Sequence, residues 1–500
     1  MPSNDLSWLV GELKALAGDL HANDARPPLV VAIDQGGHAS RAIAFDVHGR
    51  LIAESFAPLS TFRAGSDRVE HDAQEVNESV RTALLDLQQS LGAEADRVAA
   101  IGLATQRSSI ACWDARTGKA LMPIVSWQDR RNTSLVERLR PHERTIRERT
   151  GLVLSPHYGA SKLRWCLEHV DAVARAAASK SLAVGPLASW LLRSQVKERP
   201  HVVDPANAAR TQLLDLRLLD WSQDMLALFG IPRELLPTVV ANRHAYGQVS
   251  FGDRLVPLTV CTGDQSAMPF AHGMPEPGTL YLNVGTGAFV QRLWSAAEVP
   301  DGMLTSVLWT DARGERPALH ALEGTVNGAG SAIDWLNERI GIDAHRAALS
   351  LNRATARAAK PPLFLNGVAG VGSPYWRPHF ESRFVGEGSE AERLMAVVES
   401  IAFLICMNVD RMRNGATRIL ASGGLAASDY LCECLAALSG IAVERTSLQE
   451  STAAGVAYLV AGEPAEWQPG ARITRFEPSA DPILGERFER WQAAMADSPR

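Results

Sequence analysis

Two carboxylates and a set of glycine turns are the groups in this 500-residue chain best suited to chemistry. Asp34 follows the apolar run Leu29 to Ile33 and leads into Gln35-Gly36-Gly37; Asp264 follows Leu255 to Cys261 within Thr262-Gly263-Asp264-Gln265. Glycine turns present bare N–H groups that attract anions, phosphate above all. A carboxylate beside such a turn can hold the divalent cation that travels with phosphate. Two more turns, Gly285-Thr286-Gly287 and Gly423-Gly424, also follow apolar runs; the second opens onto a helix start, a geometry suited to a nucleotide. Moving a phosphoryl group to a hydroxyl needs neutralised phosphates, a base aimed at the hydroxyl and exclusion of water. These four features supply that list. Taken alone, Asp34 has a second reading, a carboxylate that caps its own turn. The chain carries no Walker A sequence and no well-placed GxGxxG with its acidic partner, which argues against P-loop and dinucleotide folds.

The elements that must hold these groups read as alternating strands and helices. Leu29–Ile33 and Ala42–Phe45, closed by Asp46-Val47-His48-Gly49, predict a hairpin. Residues 69–91 predict an Asp-started amphipathic helix. Val98 to Ala104 reads as a buried strand ending in Thr105-Gln106-Arg107-Ser108-Ser109; polar groups just outside strand C-termini are where α/β sheets bind ligands. A structural salt bridge for Arg107 and a core position for Trp127 stay open at this point. Residues 151–168 predict a loop entering a helix. The strand-then-Asp/Gly pattern recurs in both halves, which suggests duplication of one α/β unit.

At this length two or more cores are expected. The composition, 46% apolar and 21% charged with net charge −6, argues against a dedicated nucleic-acid or anionic-membrane surface. The six cysteines are dispersed in apolar surroundings and are expected as buried free thiols; Cys432-Glu433-Cys434 is not a usual zinc spacing. No apolar run approaches the roughly 20 residues of a membrane helix. Asp5, Glu12 and Asp19 do not fit a secretory signal, so a cytoplasmic location is expected. Residues 5–20 predict an amphipathic helix ahead of Pro27-Pro28, docking on the body or on a second copy; self-association is left open.

A series of ordered motifs gives these features a common explanation. They are IDQG…SRA (33–42), VEHD (69–72), IGLATQR (101–107), WQDRR (127–131), SKLRW (161–165), GDQSA (263–267), VGTGAF (284–289), LEGTV (322–326), GSPYWRP (372–378), ESIAF (399–403), SGG (422–424) and ESTAAGVAYL (450–459). In this order and spacing the chain resembles the FGGY carbohydrate kinases, glycerol kinases most of all, within the actin and hexokinase superfamily of ATPases. The resemblance implies an α/β fold of two actin-like (ribonuclease H-like) domains flanking a nucleotide and substrate cleft. With it come an N-terminal extension at 1–27, domains at 28–273 and 274–465, and a C-terminal tail at 466–500. It implies ATP and Mg²⁺ as cofactors and a small polyol or sugar as substrate. Asp264 is then the catalytic base, with Asp34 and Asp264 toward the metal. Arg107, Ser108, Trp127, His157, Asp264, Gln265 and Phe289 would line the acceptor pocket. Gly37, His38, Arg41, Gly285, Thr286, Gly330, Gly423, Gly424 and Ser428 would face the nucleotide.

The departures from that pattern bear on the substrate. Where glycerol kinases carry two threonines after the first D-Q-G, this chain has Gly37 and His38. Their polyol-binding glutamate is Ser108, their pocket tyrosine His157, an adenine-side asparagine Ser428, and the aspartate of P-Y-W-D is Arg377. A site built to hydrogen-bond particular hydroxyls discriminates strongly. Ser108 and His157 therefore argue against glycerol as the best acceptor and for a longer polyol or a ketose. The altered phosphate turn motivates a rival expectation, a weakly catalytic sensor that binds nucleotide and sugar; retention of both Asp34 and Asp264 favours the enzyme.

Overall fold

A computed structural model describes residues 26–498 other than 66, 295–298, 313–315, 341–342, 353–359 and 471. The helix expected over 5–20 lies outside the described residues. The chain forms two compact units. The first holds the described residues up to Met274, with Ser306–His320 and Glu450–Gly470; the second holds Pro275–Thr305, Ala321–Gln449 and the described residues after Gly470.

In the first unit, the apolar run that precedes Asp34 becomes strand β1 (Leu29–Gln35), buried throughout except at Asp34 itself. It turns back antiparallel into β2 (Ala39–Asp46), which pairs with β3 (Leu51–Pro58). Residues 69–91 do not form one helix. Arg68–His71 is a strand instead, pairing Glu70 with Val125 and His71 with Ile124. Asp72 then caps α1 (Ala73–Leu91) by accepting from Glu75 N, and Val76, Val80, Ala83, Leu84, Leu87 and Leu91 form its buried stripe. β4 (Val98–Thr105) lies parallel to β1. A smaller sheet from Phe62–Ala64, Arg68–His71, Ile124–Val125, Ile110–Asp114 and Leu182–Pro186 leads toward α2 (Gly159–His169). β5 (Arg243–Phe251) and β6 (Arg254–Gly263) complete the main sheet, in the order β5-β6-β4-β1-β2-β3 with β6 parallel to β4. Central parallel strands are buried on both faces, which is why these segments read as nearly continuous apolar runs.

The second unit repeats that plan. β7 (Thr279–Val284) turns antiparallel into β8 (Ala288–Trp294), followed by β9 (Leu319–Val326) and α3 (Gly330–Ile340). α4 (Glu390–Met412) is buried along most of its length, starts in a Ser389/Glu392 capping box and forms the spine of the core. β10 (Arg418–Ser422) lies parallel to β7, and α5 (Asp429–Ser439) leads to β11 (Ala442–Thr446), parallel to β10. The chain then returns to the first unit as α6 (Ser451–Val460), before β12 (Ile473–Phe476) pairs antiparallel with β11 in the second. Within a seven-stranded sheet whose outermost strand beyond β9 is Leu304–Trp309, the order β9-β8-β7-β10-β11-β12 parallels β3-β2-β1-β4-β6-β5, as expected of a duplicated unit. All six cysteines are free and buried. Among the described residues no helix is long and apolar enough to cross a membrane.

Candidate active site

Strand register brings Asp34 and Asp264 to the same level. Asp34 pairs with Ala104 of β4, and on the other side of β4 Ala104 pairs with Thr262, two residues before Asp264. The two carboxylates thus leave neighbouring C-terminal strand ends on either side of β4, about two strand spacings (~10 Å) apart along the backbone. Arg107, just past the end of β4, is buried, and its Nε lies 3.6 Å from Asp264 Oδ1. Gly263 makes this approach available, because a Cβ there would stand 2.5 Å from Arg107 Cγ and 2.6 Å from Cδ. Arg41 pairs in register with Asp34, and its Nε is 3.6 Å from Glu450 Oε1, at the start of α6.

Burial sets the electrostatics, and at Asp34 neighbouring negative charge adds to it. Burial first, then the charge of Asp264, push the Asp34 carboxyl up to about 7; Arg41 pulls it down and Glu450 adds to the rise. Burial also lifts Asp264 above the ordinary carboxylate range, against Arg107, hydrogen bonds from Gln265 and the charge of Arg210. The Asp264 side chain keeps 26% exposure, so it can meet a substrate. Gln265 N donates to Asp264 Oδ1 at 2.7 Å, while the buried Gln265 Oε1 accepts from no described group. A buried orphan acceptor beside a base is suited to a ligand hydroxyl.

The glycine turn is tighter than its composition suggests. Gly36 N–H closes on Ala39 O at 2.9 Å, which leaves Gly37 and His38 as the amide donors at the tip. Leu59 N donates to His38 O at 2.8 Å and Thr61 Oγ1 to Gly37 O at 3.2 Å, bracing the tip from behind. Trp127 is 38% exposed, so it is not core, and its Nε1 lies 3.9 Å from a Cβ built on Gly37. Ser108 sits at φ 67° in the left-handed region, turning the loop after Arg107 sharply. His157 is half-buried; burial, then the Lys162 ammonium, press its pKa down to about 4. Its Nδ1 faces Trp127 O at 3.3 Å. A carbonyl only accepts, so the neutral ring carries its proton on Nδ1 and presents Nε2 as an acceptor. The first unit therefore brings together Asp34, Gly37, His38, Arg41, Arg107, Ser108, Trp127, His157, Asp264 and Gln265.

In the second unit, three turns meet at the adjacent ends of β7 and β10. Gly285 N closes on Gly287 O at 2.9 Å, and the Gly285 carbonyl accepts from Gly330 N at 2.9 Å. A Cβ on Gly330 would stand 2.7 Å from that carbonyl, so glycine lets the start of α3 seat against the turn. Gly423, at φ 93°, lies against Asn283 and Val284, with Val284 O 2.6 Å from a built Cβ. Gly285, Thr286 and Gly424 are exposed, and Gly285 and Gly424 face open space. Ser428 is apart from them: fully buried at the start of α5, its hydroxyl donates to Ala348 O at 3.0 Å and accepts from Leu431 N. Phe289 is a half-buried residue of β8 opposite Asn283. Arg377 fastens the C-terminal segment, donating to Met495 O at 2.9 Å.

The sequence-family comparison accounts for both units at once. The N-terminal domain of the FGGY family of carbohydrate kinases matches residues 29–270, and the C-terminal domain of the same family matches 280–462. The chain belongs to the FGGY family of carbohydrate kinases. This FGGY kinase is 33% identical over 488 residues to a glycerol kinase of Geobacter sp. (strain M21), covering 93% of this chain and 98% of the relative. It is also 33% identical over 494 residues to one from Stenotrophomonas maltophilia (strain R551-3), covering 94% and 98%. Its fold is that of Plasmodium falciparum glycerol kinase, solved with ADP, at TM-score 0.82, 21% identity and coverage of 94% and 98%. A xylulose kinase from Rhodospirillum rubrum follows at TM-score 0.79, 20% identity and coverage of 94% and 97%. The mixed α/β, two-unit architecture is thus the actin-like fold of these phosphotransferases, whose acceptor is an alcohol group.

Three features of the site were not singled out from the sequence. Glu450 stands at Arg41; in the sequence it is the first residue of ESTAAGVAYL. A buried amide relay runs from the glycine turn after Asp34 to Trp127: Gln106 Nε2 donates to Gln35 Oε1 and Gly36 O, Ser109 Oγ donates to Gln106 Oε1, and Trp127 N donates to Ser109 Oγ at 2.9 Å. Lys162 is fully buried.

Proposed function

We propose that this FGGY kinase transfers the γ-phosphoryl group of ATP to a hydroxyl of a polyol or ketose of four or more carbons, with glycerol a poor acceptor. The observation that carries this reading is the placement of Asp34 and Asp264 at strand ends on either side of β4, beside a pocket wall with Ser108 and a neutral His157 in place of glutamate and tyrosine. Asp264 accepts the proton of the attacking hydroxyl, and Arg107 orients its carboxylate. The raised affinity of Asp264 for a proton suits a general base, since efficiency is greatest when the base's pKa approaches working pH. Gln265 Oε1 and His157 Nε2 offer acceptors to the remaining hydroxyls. Trp127 gives the carbon chain an apolar face. The nucleotide contacts are assigned to Gly37, His38 and Arg41 in the first unit and to Gly285, Thr286, Gly330, Gly423 and Gly424 in the second.

The residues present fit Mg²⁺. Among the described residues no group of three or more His, Cys, Asp or Glu side chains forms a metal cage, whereas Asp34 is a crowded carboxylate that a cation would relieve. Mg²⁺ is usually bound by one or two carboxylates with the rest of its shell from water and phosphate. Asp34 and Asp264 would hold it, and the ion supplies neutralisation of phosphate charge. We place the reaction in the cytoplasm, where six free thiols stay reduced.

The test is a coupled ADP-release screen over glycerol, erythritol, ribitol, xylitol and D-xylulose. The expected result is the highest kcat/KM on an acceptor of four or more carbons. Glycerol with the highest value overturns the substrate reading. Nucleotide and polyol binding without turnover on any acceptor would favour the sensor instead.

A further inference from the structure

Lys162 lies in the first turn of α2 with no exposed surface, and nothing in the reaction described above uses it. Its Nζ lies within hydrogen-bond distance of four backbone carbonyls: His157 O at 2.7 Å, Ser126 O at 2.8 Å, Ser108 O at 3.2 Å and Trp127 O at 3.3 Å. An ammonium has three N–H groups, so four acceptors share three donors. The acceptors come from three separate stretches of chain. Each stretch carries one side chain of the proposed acceptor wall: Ser108, Trp127 or His157.

Burial draws the Lys162 pKa down to about 7, against the pull of Asp129, so its charge is held at a cost, and an aliphatic side chain would fill α2 at less cost if packing were its only task. The neighbouring carboxylate, Asp129, does not explain it, because Asp129 is committed to Arg131 at 2.7 and 2.8 Å and to Val69 N. What the ammonium provides is convergence. Three loops of unlike conformation, one held at the positive φ of Ser108, turn their carbonyls to one point. Two further ties join the same wall, Trp127 N on Ser109 Oγ and His157 Nδ1 on Trp127 O.

We propose that Lys162 is a positioning residue for the acceptor: its ammonium gathers the backbones of Ser108, Trp127 and His157 into one wall and so sets acceptor affinity and selectivity. This rests on the acceptor reading given under the proposed function. Removing the ammonium releases the three side chains from one another while leaving Asp34, Asp264 and the glycine turns in place. The loss falls on acceptor binding.

The test is steady-state kinetics of Lys162→Met and Lys162→Gln with glycerol, xylitol and D-xylulose, varying ATP separately. Lys162→Met should raise KM for the preferred acceptor tenfold or more, narrow the spread of kcat/KM among the three acceptors, and leave KM for ATP within twofold. Lys162→Gln, which keeps two N–H donors, should fall between wild type and Lys162→Met. A purely structural lysine would instead lower kcat and melting temperature with acceptor KM and selectivity unchanged, and that pattern overturns the proposal. If neither variant folds, Ser109→Ala removes the neighbouring tie on Trp127 with Lys162 in place. With Lys162 still gathering the wall, acceptor KM there should be little changed, and a tenfold rise would show that the serine tie rather than Lys162 places the wall and would overturn the proposal. Wild type inactive on all three acceptors refutes the acceptor reading and this inference with it; an active wild type with unaltered acceptor KM in the Lys162 variants refutes the inference alone.

Discussion

Gly263→Ala is a one-carbon test of how Arg107 governs the base. The backbone at Gly263 is ordinary extended chain, φ −86° and ψ 149°, so alanine adds no conformational strain. Its Cβ would arrive 2.5 Å from Arg107 Cγ, a buried mid-chain atom. Restoring van der Waals contact at about 3.4 Å moves the Arg107 side chain by ~0.9 Å. If the guanidinium follows, its 3.6 Å separation from Asp264 lengthens to about 4.5 Å. At an effective dielectric of ~20 the lost attraction is about 0.9 kcal/mol. Arg107 is the foremost influence holding the Asp264 pKa down, so the Asp264 pKa rises by ~0.7 unit, at 1.36 kcal/mol per unit. A base works only when deprotonated, so activity on the acid side is lost at higher pH than in wild type. The assay is the pH profile of kcat/KM for the best acceptor from the screen, whose acid limb should move up by roughly 0.7 unit. A folded variant whose acid limb stays within about 0.2 unit of wild type, or moves down, refutes the claim that Arg107 sets the base.

Other substitutions separate the remaining roles. Asp264→Asn keeps the shape and removes the base, so turnover should fall ~10²–10⁴-fold with ATP binding by calorimetry little changed; wild-type turnover would remove Asp264 from the chemistry. Asp34→Asn should raise the Mg²⁺ concentration needed for half-maximal rate, and an unchanged requirement returns Asp34 to a turn-capping role. The same variant should alter stability in a pH-dependent way. With the folded-state pKa raised from 3.8 to about 7, the folded state holds a proton the unfolded state has released. Stability therefore declines as pH rises from the lower value to the upper and is flat above it. Ligand-free Asp34→Asn should melt a few degrees above wild type at pH 8, with the gain gone near pH 4; equal melting temperatures at pH 8 would contradict the crowding of Asp34, Asp264 and Glu450. Ser108→Glu with His157→Tyr should shift kcat/KM toward glycerol by roughly ten- to a hundred-fold, from a charged hydrogen bond of ~1.5–3 kcal/mol, and no shift would detach selectivity from these two positions.

Much of this was legible because buried parallel strands leave a continuous apolar run and ligand-side turns leave glycine and aspartate. Leu29 to Gly37 and Leu255 to Gln265 show both features side by side, so both strands and both carboxylates could be read. The Asp start of α1 holds at Asp72, but Val69-Glu70-His71 ahead of it continues into the helix without a break in composition and does not show as a strand. Its strand character comes from pairing with Ile124–Val125, more than fifty residues away in sequence. Lys162 escaped notice because a lysine in an amphipathic helix reads as a solvated position, and only three converging loops reveal otherwise. The Gln35–Gln106–Ser109 relay escaped for the same reason: amides are ordinary at loop ends until burial leaves them only each other. Ser428, a helix-start serine in the sequence, is a helix-start serine in the structure, its hydroxyl proton given to Ala348 O and its oxygen accepting from Leu431 N.

α6 has a consequence for how the protein is made. It packs on β1 and β4, with Val456 and Val460 pressed onto Gly102 and with Gly455 so close to Ala267 O that a Cβ would stand 2.0 Å from it. β1 and β4 leave the ribosome first, yet the helix that covers them comes some 350 residues later, a delay of roughly 20–70 s at 5–20 residues per second. Throughout that interval β1 and β4 lack the helix that packs most extensively on them. A chain that stops anywhere before position 450 therefore loses more than the second unit: its first unit is also missing the helix that seals β1 and β4.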